Sequence, residues 1–350
     1  MLKGMPADLH LSDEYLIHQM SGTISRVETP DPAWFDRLIF EVFDKKHTMY
    51  LAAGMGTYPN VNVSDGFATV VRGTTQRVVR VARRTHSDRD RSSVGPLSFT
   101  PKKPMQSWAL SMEDNEHGVS FDLKADGLFA PVRIRDVSYS RPGGGQDLVW
   151  SHYFQICKYK GTVKVGGETI PFDGLGARDR SWGERRLFGG EYGLYLWLHM
   201  SFAHHGIEVF YQERADGSPF YCDGAVIGKD GERKRITGLR HRLELQPGTV
   251  RHVSGQLLLA HPDGSETKLS TRSVFQGPSL IGAGYSWRQG FDLGESHMEG
   301  DSWDVNAHDQ LTKNVDATDQ IVEFNDGREK THGVFELAKI SAEYKYKPTM

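Results

Sequence analysis

The 350-residue sequence predicts an all-β protein of antiparallel strands. Asp-Gly pairs at 126/127, 216/217, 230/231, 263/264 and 326/327 punctuate short alternating runs, and this dipeptide suits tight reversals between antiparallel strands. The strand-helix alternation that a parallel sheet requires is missing, and no long internal repeat interrupts the pattern. One short segment, Asp13 to Met20, has helical character, with Ser12 as its N-cap. The length is more than twice that of a usual single domain, which favours two domains or one large β assembly.

Taken in order, the elements carry different signals. Arg72, Arg77, Arg80, Arg83, Arg84, Arg89 and Arg91 form the most basic stretch, read as a solvated strand face and the exposed turn Ser87 to Ser93. Arg141 to Gly145 reads as a loop. From Trp150 to Cys157, Trp150, His152, Phe154 and Ile156 alternate with Ser151, Tyr153, Gln155 and Cys157, mixing aromatic bulk with neutral hydrogen-bonding groups. Gly161 to Ile170 reads as a hairpin turning at Gly166 and Gly167. In Leu194 to Phe202 one face is Leu194, Leu196, Leu198, Met200 and Phe202, and the other is Tyr195, Trp197, His199 and Ser201. A strand with no charge on either face is buried on both, and the second face resembles the wall of a ligand cavity. At the C-terminus, Ala338 to Lys347 alternates as a strand with one face in water.

Composition excludes several function classes. Forty-two Lys and Arg against 45 Asp and Glu leave a net charge of -3, which provides no positive field for nucleic acid. Cys157 and Cys222 stand far apart, so neither a disulfide framework nor a zinc ribbon is expected. His204, His205 and Glu208 lack the spacing of a helical His-Glu-x-x-His site, and the glycine strings Gly54-Met-Gly56 and Gly143 to Gly145 lack the setting of a phosphate loop. No metal, nucleotide or other cofactor is expected. The longest apolar stretch falls well short of a membrane span, and the first 20 residues lack the continuous apolar core of a secretory signal. A cytoplasmic location is the expectation, and the sequence leaves oligomerisation open.

The most distinctive segment runs from Gly174 to Arg186 and contains Gly176-Ala-Arg-Asp-Arg-Ser-Trp-Gly-Glu-Arg185. If it is extended, Arg178, Arg180, Trp182 and Glu184 point one way and Asp179, Ser181 and Gly183 the other. Buried charge without a partner costs several kcal/mol, so these residues are paired with one another or exposed. A purely structural account, a charged strand at a domain junction with Trp182 plugging a barrel end, competes with a catalytic one.

The Gly-x-Arg-Asp-x-Ser-Trp-Gly-x-Arg pattern, after a Trp-Ser-His run and a Gly-Gly hairpin, resembles the carotenoid 1,2-hydratase and AttH-like group of the calycin superfamily. The resemblance implies two lipocalin-like antiparallel β-barrel domains, here 1–186 and 187–350, and an apolar-ligand cavity without a redox cofactor. Many relatives carry His where this chain has Arg180, so a histidine acid is not carried over to that position.

The function expected from these residues is a cofactor-independent lyase, performing hydration, elimination or ether-ring opening on a hydrophobic aromatic or terpenoid small molecule. A lignin-derived phenylcoumaran-type dimer would suit the aromatic lining. Such chemistry moves a proton to or from a weakly polar substrate and needs an acid or base in a low-dielectric site. Asp179 is the first candidate, held ionised by Arg178 and Arg180, and Glu184 the second. Arg180, Tyr195 and His199 are expected to stabilise a developing anion, and Arg178, Trp182, Trp197, Tyr153 and His152 to bind substrate. A cyclase or Diels-Alderase using the same cavity and a non-catalytic lipid or terpenoid carrier are the rivals.

Overall fold

A computed structural model describes residues 21–350 except 25, 87, 89–91, 141–147, 185–191, 284–287, 308–315 and 342. The helix expected at Asp13 to Met20, the glycine loop after Arg141 and the chain around the 186/187 division lie outside these residues. Among the described residues two antiparallel sheets account for nearly all regular structure, one of 13 strands and one of nine. One curls into a half-barrel and the other closes almost completely, consistent with two lipocalin-like barrels.

The first sheet is organised around one long hairpin, Leu148–Val165 and Glu168–Glu184. Its turn falls at Gly166 and Gly167, both at positive φ (59° and 83°), the conformation a two-residue type I′ turn demands and glycine adopts without strain. The strand Glu168–Glu184 pairs on its other side with Trp34–Asp44, which makes the Arg-Asp-Arg segment a central strand. At Gly176 a Cβ would stand 1.9 Å from the Glu41 carbonyl oxygen, so the first glycine of the motif permits this close pairing. Four of the five Asp-Gly pairs are turns with glycine at φ between 81° and 89°. Asp126-Gly127 is not. Asp126 pairs with Ser107 and with Lys158, because the strand Val119–Gly127 is flanked on both sides.

In the second half, Leu194 to Ser201 lies within the strand Tyr192–Ser201, between His205–Arg214 and Lys330–Lys339. The C-terminal strand ends at Lys339, short of the expected Lys347. Beyond it the Tyr344 hydroxyl donates to Glu213, and Tyr346 pairs with His241 at 3.0 Å, so burial of this polar network draws the tail off the sheet. The segment His297–Asp304 crosses to pair with Thr75–Arg84 in the first sheet. It delivers Asp301 and Glu299 to Arg80, which is buried rather than solvated.

Among the described residues, the buried apolar side chains sort into three cores. One fills the inside of the first sheet, around Phe40, Phe99 and Trp108, and one the inside of the second, around Leu196, Phe324 and Phe335. The third lies between the sheets and is rich in aromatics, including Phe67, Trp150, Phe154, Trp197 and Phe210. No helix among the described residues is long and apolar enough to cross a membrane.

Candidate functional site

Between the sheets lies a narrow cavity of about 30 Å³. Rings of Trp150, Tyr139, Tyr192, Tyr195, Trp197 and Phe210 line it, with Glu41, His152, Asp179, Gln212 and Glu336. A ligand of aromatic-dimer size therefore enters only as these rings move apart. The alternation of the strands explains the lining. Trp150 and His152 from one strand and Asp179 from its neighbour share the face of the first sheet turned to the second, where Tyr195 and Trp197 face back.

His152 Nδ1 lies 3.0 Å from Asp179 Oδ1, and both side chains are buried. The carboxylate thus fixes the imidazole orientation, the arrangement of an oriented base. Tyr139 and Gln212 exchange two hydrogen bonds, of 3.1 and 2.9 Å, at another part of the wall. The Trp197 indole N–H is buried without an acceptor among the described residues.

Two acids of the cavity wall, Glu41 and Glu336, form a cluster with Asp319, which lies outside the lining. One oxygen each of Glu41, Asp319 and Glu336 lies within 4.8 Å of the others, and all three residues are buried. The Tyr50 hydroxyl donates to Glu41 Oε2 at 2.8 Å and the Tyr195 hydroxyl to Glu336. Burial, then repulsion from the neighbouring carboxylates, raises the Glu41 carboxyl well above its ordinary range, and Asp319 rises for the same two causes. Three carboxylates this close in a buried site repel one another unless protons or a cation neutralise them. Burial and mutual repulsion favour the protonated form at Glu41 and Asp319.

Asp179, His152, Tyr195 and Trp197 are brought together by the structure, whereas the remaining candidates from the sequence are not. The pleat sends Asp179 into the cavity and turns Arg178, Arg180 and Trp182 to the opposite face of the sheet, so neither arginine pairs with Asp179. Arg178 is fully buried there, its guanidinium 4.0 Å from the Trp108 ring and 4.9 Å from that of Tyr153, with Nε donating to Gln155 at 3.0 Å. Arg180 pairs with Asp36, and Trp182 packs between Arg133 and Arg180. Glu184 accepts from Thr29 and lines a separate polar groove. Tyr153 lies with Arg178 and Trp182 outside the cavity. His199 shares the face of Trp197, with ring centroids 3.9 Å apart, but sits behind it beside Glu208. Burial lowers its pKa well below the ordinary histidine value and raises that of Glu208.

The residues that sequence reasoning missed are Glu41, Asp319 and Glu336. Each is a lone acid in an apolar or neutral run, as in Ile39-Phe-Glu-Val-Phe43 and Val334-Phe-Glu-Leu-Ala338. A charge placed on a strand with no room for solvent was the available signal.

The chain belongs to DUF8625, a family of unknown function, whose model matches residues 9–346. No curated protein matches the sequence. Solved structures share the fold: a putative AttH from Nitrosomonas europaea has a TM-score of 0.57 at 13% identity, covering 88% of this chain and 92% of that one. CghA with Sch210972 has a TM-score of 0.53 at 10% identity, covering 89% of each chain. Kievitone hydratase from Nectria haematococca has a TM-score of 0.53 at 9% identity, covering 95% of each. The resemblance to AttH-like proteins therefore holds at the level of fold.

Proposed function

We propose that the chain is a cofactor-independent lyase that hydrates, or eliminates from, a neutral hydrophobic aromatic or terpenoid molecule held between the two sheets. The observation that carries this reading is Glu41, a carboxyl group favoured in its neutral form, on the wall of an aromatic cavity that also presents the His152–Asp179 pair. No Lys or Arg is among the described lining residues, so an anionic substrate finds no counterion there. Aromatic faces and nearby carboxylates instead favour positive charge developing on carbon.

In hydration, Glu41 transfers its proton to one carbon of a C=C bond, and the adjacent carbon becomes cationic beside the aromatic rings. Water attacks that carbon while His152, oriented by Asp179, takes the proton the water loses. In ether-ring opening, Glu41 protonates the ether oxygen, the C–O bond breaks, and His152 removes the proton from the neighbouring carbon. The unpartnered Trp197 N–H is suited to an oxygen acceptor on the substrate.

The test is a panel of neutral aromatic and terpenoid alkenes, alcohols and cyclic aryl ethers, followed by mass spectrometry for gain or loss of water and for isomeric ring-opened products. Runs in D2O should place deuterium on the protonated carbon. Glu41→Gln should abolish turnover while ligand still binds. Tight binding of an apolar ligand with no turnover by the wild type would instead identify a carrier.

A further inference from the structure

We propose that Asp319, which does not line the cavity, is the positioning residue of its proton donor: it shares the protons of Glu41 and Glu336 and holds Glu41 in the acid form. This rests on Glu41 being the acid of the reaction proposed above. Asp319 and Glu336 stand directly opposite each other on adjacent strands of the second sheet, where like charges are destabilising. Glu41 reaches the same spot from the first sheet. Three full charges within 4.8 Å of one another in a buried site repel too strongly to coexist. The group titrates as a unit with protons distributed among its members.

Asp319 has no other evident task. It is fully buried, and neither oxygen accepts a hydrogen bond of good geometry among the described residues, since the Tyr50 hydroxyl alongside is directed to Glu41. A buried orphan carboxyl in the core requires an explanation, and a proton provides one. The facing groups are Glu41 and Tyr50 from the first sheet, Glu336 and Tyr195 from the second, and Asp179, whose charge also acts on Glu41. The charges acting on Glu41 and Asp319 are all negative, so they favour protonation at both.

Infrared spectra of the full chain in H2O and D2O test this without a substrate. The wild type should show a protonated-carboxyl stretch that survives to neutral pH and loses intensity in Glu41→Gln. Asp319→Asn removes one negative charge and should move the titration of that band down by about one unit or more. Glu336→Gln should do the same, and it serves if the first variant does not fold. Unfolding at a series of pH values adds a second readout. Carboxyls raised in the folded state stabilise it fully below their unfolded values, 3.8 for Asp319 and 4.5 for Glu41, and that contribution is lost as pH rises through the folded titration, so the loss should be smaller in Asp319→Asn. A band whose titration is unmoved in both variants would overturn the assignment. So would a stoichiometric divalent metal in the purified wild type that is absent from Asp319→Asn. If the band shifts as expected and the substrate panel is inert, the proton-sharing role stands and the lyase reading falls.

Discussion

His152 Nδ1 and Asp179 Oδ1 stand 3.0 Å apart on the two strands of the long hairpin, buried on the face turned toward the second sheet. The carboxylate belongs to the charged motif and the imidazole to the Trp-Ser-His run. Two segments that look independent in sequence thus form one unit through strand pairing.

Asp179→Asn keeps the shape and removes the charge that orients the ring. Turnover on a confirmed substrate should fall by about 10² or more while binding persists. His152→Gln should fall similarly. Because the pair acts as one, the double variant should be scarcely slower than the worse single one. Single-turnover rates for the four proteins check this, and multiplicative losses would show that the two side chains act independently.

Trp197→Phe keeps an aromatic ring on the wall and deletes the N–H that lacks an acceptor. If the substrate oxygen takes that hydrogen bond, affinity should weaken by about 1 kcal/mol, with a smaller effect on the chemical step. Calorimetric titration with a substrate or an unreactive analogue measures it. Trp197→Ala would also open a void in a buried core and cost about 3–5 kcal/mol of stability, which makes Phe the cleaner comparison.

The alternation of apolar and polar residues made the strands legible, and the Asp-Gly pairs marked four of the five reversals they were expected to mark. The cavity wall at Tyr195 and Trp197 was legible for the same reason: side chains alternate across a strand, and a neutral polar face has nowhere to go but a protected site. The face of the motif was legible too, since Asp179 and the two arginines were expected to part company. Which face met the cavity was not, because that depends on which side of the first sheet the second packs against. The acid cluster draws one member from residue 41 and two from beyond residue 318, and only the packing of sheet on sheet joins them. The tail beyond Lys339 departs from its alternation because Glu213 and His241 are hydrogen-bond partners that no local pattern reveals.

Arg178 illustrates the difference between a site residue and a structural one. Its guanidinium is stacked against Trp108 and Tyr153 and bonded to Gln155, on the face of the sheet away from the cavity. Lysine retains the charge but lacks the planar group that stacks and the fork that bonds, and it is more strongly hydrated. Arg178→Lys should therefore destabilise the fold by about 2–4 kcal/mol in urea titrations. Ligand affinity of the folded fraction should be nearly unchanged. A large loss of affinity with unchanged stability would return Arg178 to the binding site.

His252 provides a pH test independent of any substrate. Its ring is buried inside the second sheet, stacked on Phe335 at 4.4 Å, and neither ring nitrogen has a partner among the described residues. Burial lowers its pKa to about 3. In the unfolded chain the same group titrates near 6.5, so the unfolded state binds the proton first as pH falls. The stability that a neutral His252 contributes is complete above about pH 6.5 and is lost progressively down to about pH 3. At pH 5 the loss from this one residue is about 2 kcal/mol, from 1.36 kcal/mol for each unit below 6.5. The hydrogen bonds that Gln320 makes here go to the His252 backbone, at 2.7 and 2.9 Å, so a side-chain substitution leaves them in place. His252→Phe retains an aromatic ring against Phe335 and removes the titrating group. Its unfolding free energy, measured by urea titration from pH 7 to pH 4, should decline less steeply than that of the wild type by about 2 kcal/mol at pH 5. Parallel curves for the two proteins would show that His252 takes up its proton in the folded state as readily as in the unfolded one.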